Sequence, residues 1–89
     1  MENLSEPEIK TLVLDVLKPH SPPLPEFARF ISELEGVMKV DISLVEMDER
    51  TESLKIILDC SSINYDDLKE HIGKQGAVIH SVDQVVVEK

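Results

Sequence analysis

Aromatic residues are scarce in this chain of 89 residues, which contains no tryptophan. The three that occur are Phe27, Phe30 and Tyr65. Since 42% of the residues are nevertheless hydrophobic, we expect a core built from aliphatic side chains. Strands without exposed aromatic residues also lack the surface on which RNA-recognition domains stack bases, which argues against that class of function.

Cysteine occurs once, at Cys60, so the chain cannot form an internal disulfide or a C-x-x-C metal site. No basic residue stands next to this cysteine to activate its thiol. The glycine-rich loops that cradle phosphates, the spacing of a calcium-binding loop and a Ser-His-Asp set fixed by the sequence are also missing. We therefore expect a protein that is not an enzyme and that requires no cofactor.

Basic residues are few, with nine lysines and arginines against 18 acidic residues and a net charge of −9. Such a charge repels phosphate backbones and anionic lipids, so we expect no binding to nucleic acid or to a membrane surface. No apolar run approaches the roughly 20 residues of a membrane-spanning helix. The first residues, MENLSEPE, also lack the basic and apolar regions of a signal peptide, and we expect a cytoplasmic protein.

The hydrophobic pattern divides the chain into a short leader and one domain. Residues 1–8 show no periodicity and are expected to form a flexible leader, whereas residues 9–89 suffice for a single domain. Apolar residues alternate with a period of two in three segments and recur at helical spacing in two others, and a last segment carries apolar residues on both faces. In chain order we predict a strand at 10–17, a proline-rich loop at 18–25, a helix at about 25–35, strands at 37–47 and 53–60, a helix between Asn64 and Gly76, and a strand at 77–87.

The resulting order of elements is β-α-β-β-α-β. Two right-handed βαβ units that interlock in this order form a four-stranded antiparallel sheet with both helices on one face. We therefore predict an α+β ferredoxin-like sandwich in which the first and third strands lie at the centre of the sheet. The missing C-x-x-C pair excludes the copper-carrying version of this fold.

One face of the predicted sheet has no helix to cover it. In the first three strands the wholly apolar sets, which include Leu14, Met38 and Ile56, should face the helices. The opposite set, which includes Val37, is about half apolar and is a candidate surface for self-association. Its expected contact residues are Val13, Leu17, Val45 and Ile57.

Asp15 places a carboxylate in the middle of the first strand, on the uncovered face. Pairing with the third strand brings Asp15 near Lys55, and a cross-strand ion pair is its simplest role. The fourth strand should lie on the other side, so Asp15 could also approach His80 or Ser81. A carboxylate beside an imidazole can bind a metal ion or move a proton. With a divalent cation such as calcium as the expected ion, the candidate metal ligands are Asp15 and Asp83.

Three blocks of the chain, LVLDVLKPHSPPLPEFA, GV…VDISLVEMDERTE and GAVIHSVDQV, resemble an archaeal family of short proteins. This family is catalogued as domain of unknown function two hundred and eleven, and the resemblance covers roughly Ile9 to Val87. It implies a ferredoxin-like fold, an archaeal cytoplasmic origin and assembly into homo-oligomers such as rings, and it brings no established activity. It also supports one group of candidate ligand-binding residues, namely Asp15, Lys18, His20, His80 and Asp83.

Three functions from different classes are compatible with these observations. We favour a homo-oligomeric binding module that holds a small ligand or a divalent cation near subunit contacts. The first alternative is a structural or interaction protein whose acidic surface recognises a basic partner. The second alternative is an enzyme that uses Asp15 and His80 for proton transfer.

Overall fold

The structure is a computed structural model that describes residues 6–89, so residues 1–5 of the predicted leader lie outside the described residues. Six elements follow one another in the predicted order. They are β1 (Glu8–Pro19), α1 (Leu24–Ser32), β2 (Val37–Met47), β3 (Thr51–Cys60), α2 (Tyr65–Gly73) and β4 (Val78–Glu88). No helix among the described residues is long and apolar enough to cross a membrane.

The four strands form one antiparallel sheet in the order β2-β3-β1-β4. This order places β1 and β3 at the centre, and it confirms the predicted ferredoxin-like α+β fold. We call the face packed against the two helices the helix side of the sheet, and the opposite face the open side.

The core is aliphatic, as the composition predicts, and it is centred on the helix side of β1 and β3. Leu14 and Val16 on β1 lie opposite Ile56 and Leu54 on β3, and all four side chains are fully buried. Burying an aliphatic side chain of this size contributes roughly 1.5–3 kcal/mol. The helices complete the core with Phe27 and Ile31 of α1 and with Leu68 and Ile72 of α2.

The two helices also contact each other through one aromatic pair. The rings of Phe30 and His71 are stacked, with their centroids 4.0 Å apart and their planes 2° from parallel. The Nε2 atom of His71 lies 2.6 Å from the carbonyl oxygen of Phe30. Because a carbonyl only accepts hydrogen bonds, this nitrogen carries a proton and donates a hydrogen bond to the Phe30 carbonyl of α1. The second helix begins as predicted, since the Asn64 side chain accepts a hydrogen bond from the Asp67 amide.

Several predicted boundaries differ from the observed ones. Lys18 and Pro19 extend β1 instead of opening the loop, because both pair with residues at the start of β3. The helix α1 ends at Ser32, and Gly36 stands four residues beyond with a φ of +99°. An added Cβ at this glycine would lie 3.0 Å from the carbonyl oxygen of Ser61, so both φ and the space require glycine.

The prediction that Met38 faces the helices is wrong. The register between β2 and β3 shifts between Val37 and Lys39, so Met38 is an extra residue on β2. Val37, which was expected on the open side, instead lies opposite the buried Cys60 and packs against the core. Met38 is 71% exposed. A regular alternation of apolar residues cannot reveal a bulge, because a bulge changes the face without changing the residue types.

Candidate functional site

Asp15 lies at the centre of the open side, where three strands meet. It is opposite Lys55 on β3 and opposite Ser81 on β4, as the sequence predicts. Its Oδ2 atom is 3.4 Å from Nδ1 of His80, which places His80 on the open side as well. Within residues 6–89 the side-chain contact of Asp15 is therefore with His80 and not with Lys55. The side chains of Asp15 and His80 are 39% and 65% exposed, and polar contacts this open to water add little stability.

A groove of about 320 Å³ runs across the open side beside Asp15. Its lining includes three carboxylates from three different strands, together with one ammonium group. Asp83, one of these carboxylates, accepts a hydrogen bond of 2.7 Å from the Ser81 hydroxyl. The residues that line the groove are Leu14, Asp15, Val45, Glu46, Ser53, Leu54, Lys55 and Asp83.

The predicted metal ligands Asp15 and Asp83 thus line the same groove. In the part of the chain that the structure describes, no three His, Cys, Asp or Glu side chains converge as a metal site would require. Calcium and magnesium prefer oxygen ligands such as those of carboxylates. Calcium takes six to eight oxygen ligands in total, including carbonyl and water oxygens. A cation held here would need further oxygens from water or from a second copy of the chain.

Lys18 does not belong to this groove, although the sequence grouped it with Asp15. The two residues are three positions apart on one strand, so their side chains point to opposite sides of the sheet. Lys18 is fully buried on the helix side, and its Nζ atom lies 3.1 Å from Oε1 of Glu52. The same ammonium donates to the carbonyl oxygens of Pro19, His20 and Pro22, and it lies 5.8 Å from the centre of the Phe27 ring.

His20 is also separate from the open side. Its Nδ1 atom lies 3.1 Å from Oε2 of Glu52, and its Nε2 atom lies 3.0 Å from the carbonyl oxygen of Asp48. The hydrogen bond to Glu52 is the main cause that raises the pKa of His20 above its ordinary value. The same bond, followed by the contacts with Lys18, lowers the pKa of Glu52. The five predicted site residues therefore form two groups, with Asp15, His80 and Asp83 in one and Lys18 and His20 in the other.

Sequence reasoning missed Glu52, which joins Lys18 to His20. The sequence predicts strands at 37–47 and 53–60 with the charged run DERTE as the turn between them, but Glu52 is in β3 and is only 8% exposed. A signal was nevertheless present in the predicted pairing of β1 with β3. The register that sets Asp15 opposite Lys55 also sets Lys18 opposite Glu52, three residues further along each strand. Glu52 also keeps the period of two with the core residues Leu54 and Ile56.

The exposed apolar residues are concentrated on the two edge strands. Of the predicted contact residues, Val13, Leu17 and Ile57 are half-buried by their neighbours on the central strands, whereas Val45 is 67% exposed. Within residues 6–89, every large hydrophobic side chain that is exposed belongs to β2 or to β4. These residues are Met38, Leu44, Val45 and Met47 on β2, and Val78, Val82, Val85 and Val87 on β4.

Short helices explain part of this exposure. Each helix has nine residues and is about 14 Å long. The strand β1 has 12 residues and extends for about 40 Å. The helices therefore cover only part of the sheet, and Leu44 and Val82 stay exposed although they lie beside the buried residues Leu54 and Leu14.

Comparison with known proteins places these features in a family. The model of a family described as uncharacterised ArCR matches residues 10–89. A similar sequence is an uncharacterised protein of Methanocaldococcus jannaschii, which is 36% identical over 81 residues, or 91% of this chain and 84% of the relative. The chain belongs to the ArCR family. This is the family that the sequence resembles, catalogued as domain of unknown function two hundred and eleven, and its matched range contains the groove, the buried lysine and both edge strands.

The buried ion pair of this ArCR protein gives a first prediction. Replacing Lys18 with Met leaves the Glu52 carboxylate buried with only His20 as a charged partner, and we expect a loss of about 3–5 kcal/mol in the free energy of unfolding. Urea denaturation measures this loss. The matched control is Lys10→Met, because Lys10 pairs with Glu8 at 3.3 Å at an exposed site and its loss should change stability little. Equal effects of the two substitutions would contradict a structural role for Lys18.

Proposed function

We propose that this protein is a homo-oligomeric binding module that holds a divalent cation or a small ligand at contacts between its copies. One observation carries this proposal, namely that the exposed large hydrophobic side chains of the described chain occupy the two edge strands and no other element. Exposed apolar residues in a contiguous arrangement are typical of contact surfaces. An edge strand also presents unpaired backbone N–H and C=O groups that a further strand can bind.

The sheet has two different edge strands, and this allows copies to join head to tail. The sheet ends in β2 on one side and in β4 on the other, and each of these strands has 11 residues. If β2 of one copy lies beside β4 of the next, the pair keeps two free edges. These edges are β4 of the first copy and β2 of the second, and each can bind a further copy. Such head-to-tail contacts form a ring when the rotation between copies closes, and a filament when it does not.

Contact between β2 of one copy and β4 of the next also favours the binding of a cation. The groove carboxylates Glu46 and Asp83 belong to β2 and β4, so contact between unlike edges joins two strands that each carry a groove carboxylate. Each copy also carries a net charge of −9, and copies of like charge repel one another. A divalent cation bound between them would reduce this repulsion and receive the oxygen ligands that a single chain lacks.

Native mass spectrometry of the full chain, before and after chelator treatment and calcium addition, tests this proposal. We expect a homo-oligomer that gains discrete calcium masses, or that changes its number of subunits with calcium. A monomer that is indifferent to calcium would contradict the proposal and leave recognition of a basic partner as the better account of the acidic surface.

The edge contact predicts the effect of a charge placed on β4. Val85 is half exposed, so Val85→Glu should fold as a monomer but dissociate the oligomer, because the contact would have to bury an unpaired carboxylate between copies that already repel one another. Size-exclusion chromatography with light scattering measures the change. The control is Gly73→Glu, which adds the same charge at an exposed position where an added Cβ meets nothing within 4 Å. An unchanged oligomer in Val85→Glu would remove β4 from the interface.

The groove predicts which carboxylates bind the cation. Asp15→Asn and Asp83→Asn should each weaken calcium binding by at least about tenfold, since replacing even the outer partners of metal ligands costs 10–100-fold. Isothermal titration calorimetry measures the affinities. Asp59→Asn serves as the control, because Asp59 is an exposed carboxylate of β3 that does not line the groove. The same loss in all three variants would indicate a general charge effect and not a site.

A further inference from the structure

The imidazole of His20 lies between two hydrogen-bond acceptors. Its Nδ1 atom faces the Glu52 carboxylate at 3.1 Å, and its Nε2 atom faces the backbone carbonyl of Asp48 at 3.0 Å. Neither acceptor can donate, since the carbonyl has no proton and the carboxylate is held in its charged form by Lys18. Both ring nitrogens must therefore donate, and only the doubly protonated imidazolium can do so.

The groups around the ring favour this charged form. Glu52 of β3 supplies the carboxylate, and the backbone of the turn between β2 and β3 supplies carbonyl oxygens at Asp48 and Glu49. The Asp48 carboxylate lies in the same turn and interacts favourably with the His20 charge. Lys18 of β1 is the one cation bonded to this cluster within the described residues, and its charge is compensated by Glu52.

The turn that His20 contacts is a preformed unit. The Asp48 carboxylate accepts hydrogen bonds from the backbone amides of Arg50 and Thr51 at 2.9 Å and 2.8 Å, and the Asp48 amide donates to the Thr51 carbonyl at 3.0 Å. These bonds do not involve His20. Loss of the His20 contact would therefore detach the turn from the proline-rich loop without unfolding the turn itself.

We propose that His20 is a proton-operated latch that fastens the turn between β2 and β3 to the loop after β1. In the closed state the imidazolium bridges Glu52 and the Asp48 carbonyl. In the open state the neutral ring has one donor, which stays on Nδ1 because the charged Glu52 carboxylate is the stronger acceptor. The Nε2 atom then directs a lone pair at the Asp48 carbonyl, and the contact with the turn is lost. Glu52 stays in place in both states because Lys18 holds it from the other side.

The direction of the pH dependence follows from the two shifted groups. The pKa of His20 is raised above 6.5, so the latch contributes its full stability below the ordinary value and loses it as the pH rises through the raised value. The pKa of Glu52 is lowered below 4.5, so its contribution is lost only as the pH falls through that lower value. The latch is therefore closed in mildly acidic solution and opens on the alkaline side.

NMR spectroscopy of the full, uniformly ¹⁵N-labelled chain tests the latch from about pH 5 to about pH 9. We expect both ring nitrogens of His20 to be protonated at the acidic end, and a titration midpoint above 6.5. The heteronuclear NOEs of the Glu49 and Arg50 amides should fall with the same midpoint, because the turn becomes mobile when the contact opens. A singly protonated ring throughout, or turn amides indifferent to pH, would overturn the proposal.

Two glutamine variants assign the effect to one histidine. In His20→Gln the turn should show the mobile, alkaline behaviour at every pH, because no imidazolium can form. The control is His80→Gln, which removes a histidine from the open side and should leave the midpoint of the turn unchanged. Loss of the pH dependence in His80→Gln, or its persistence in His20→Gln, would contradict the latch. The wild-type titration needs neither variant, and it does not depend on the proposed oligomer.

Discussion

The register between β1 and β3 decides which side chains of the two central strands are buried. It sets Leu14 opposite Ile56 and Val16 opposite Leu54, so the central part of the core lies on one side of the sheet. A slip of β3 by one residue against β1 would move Leu54 and Ile56 to the open side and bring polar residues of β3 into the core. The same register fixes the polar residues, because it places Asp15 beside Lys55 in water and Lys18 beside Glu52 in the interior.

Much of this arrangement could be predicted from the sequence, because burial of one face imposes a period of two. The order of elements follows from this period together with the helical spacing, and the central strands follow from right-handed crossovers. The sequence also brings Asp15 near Lys55 and near His80 or Ser81, and the structure shows the side-chain contact with His80. The exposure of Met38 could not be predicted, since a bulge leaves the composition of the strand unchanged. The role of Lys18 could not be predicted for a different reason. Charged residues that follow a strand are usually solvated, whereas Lys18 is buried and forms an ion pair with Glu52.

The two sides of the sheet thus use charge in different ways. On the helix side, Lys18, Glu52 and His20 satisfy one another and bind the proline-rich loop to β3 and to the neighbouring turn. On the open side, Asp15 and Asp83 line a groove with solvent access. Charges that satisfy one another stabilise the fold, whereas the exposed carboxylates of the groove are the ligands of the proposed cation. This division explains why the five predicted site residues, which come from two short blocks of the sequence, do not form one site.

In the proposed function, copies of this chain meet at their edge strands and hold a cation with carboxylates of the open side. Anomalous diffraction from crystals grown with manganese in place of calcium distinguishes this arrangement from others, because the signal locates the ion without reference to any assumed site. We expect a peak next to Asp15 or Asp83, with an oxygen ligand from a second copy whose β2 or β4 forms the contact. Peaks only at sites away from this groove, or edge strands that face solvent in every copy, would rule this arrangement out.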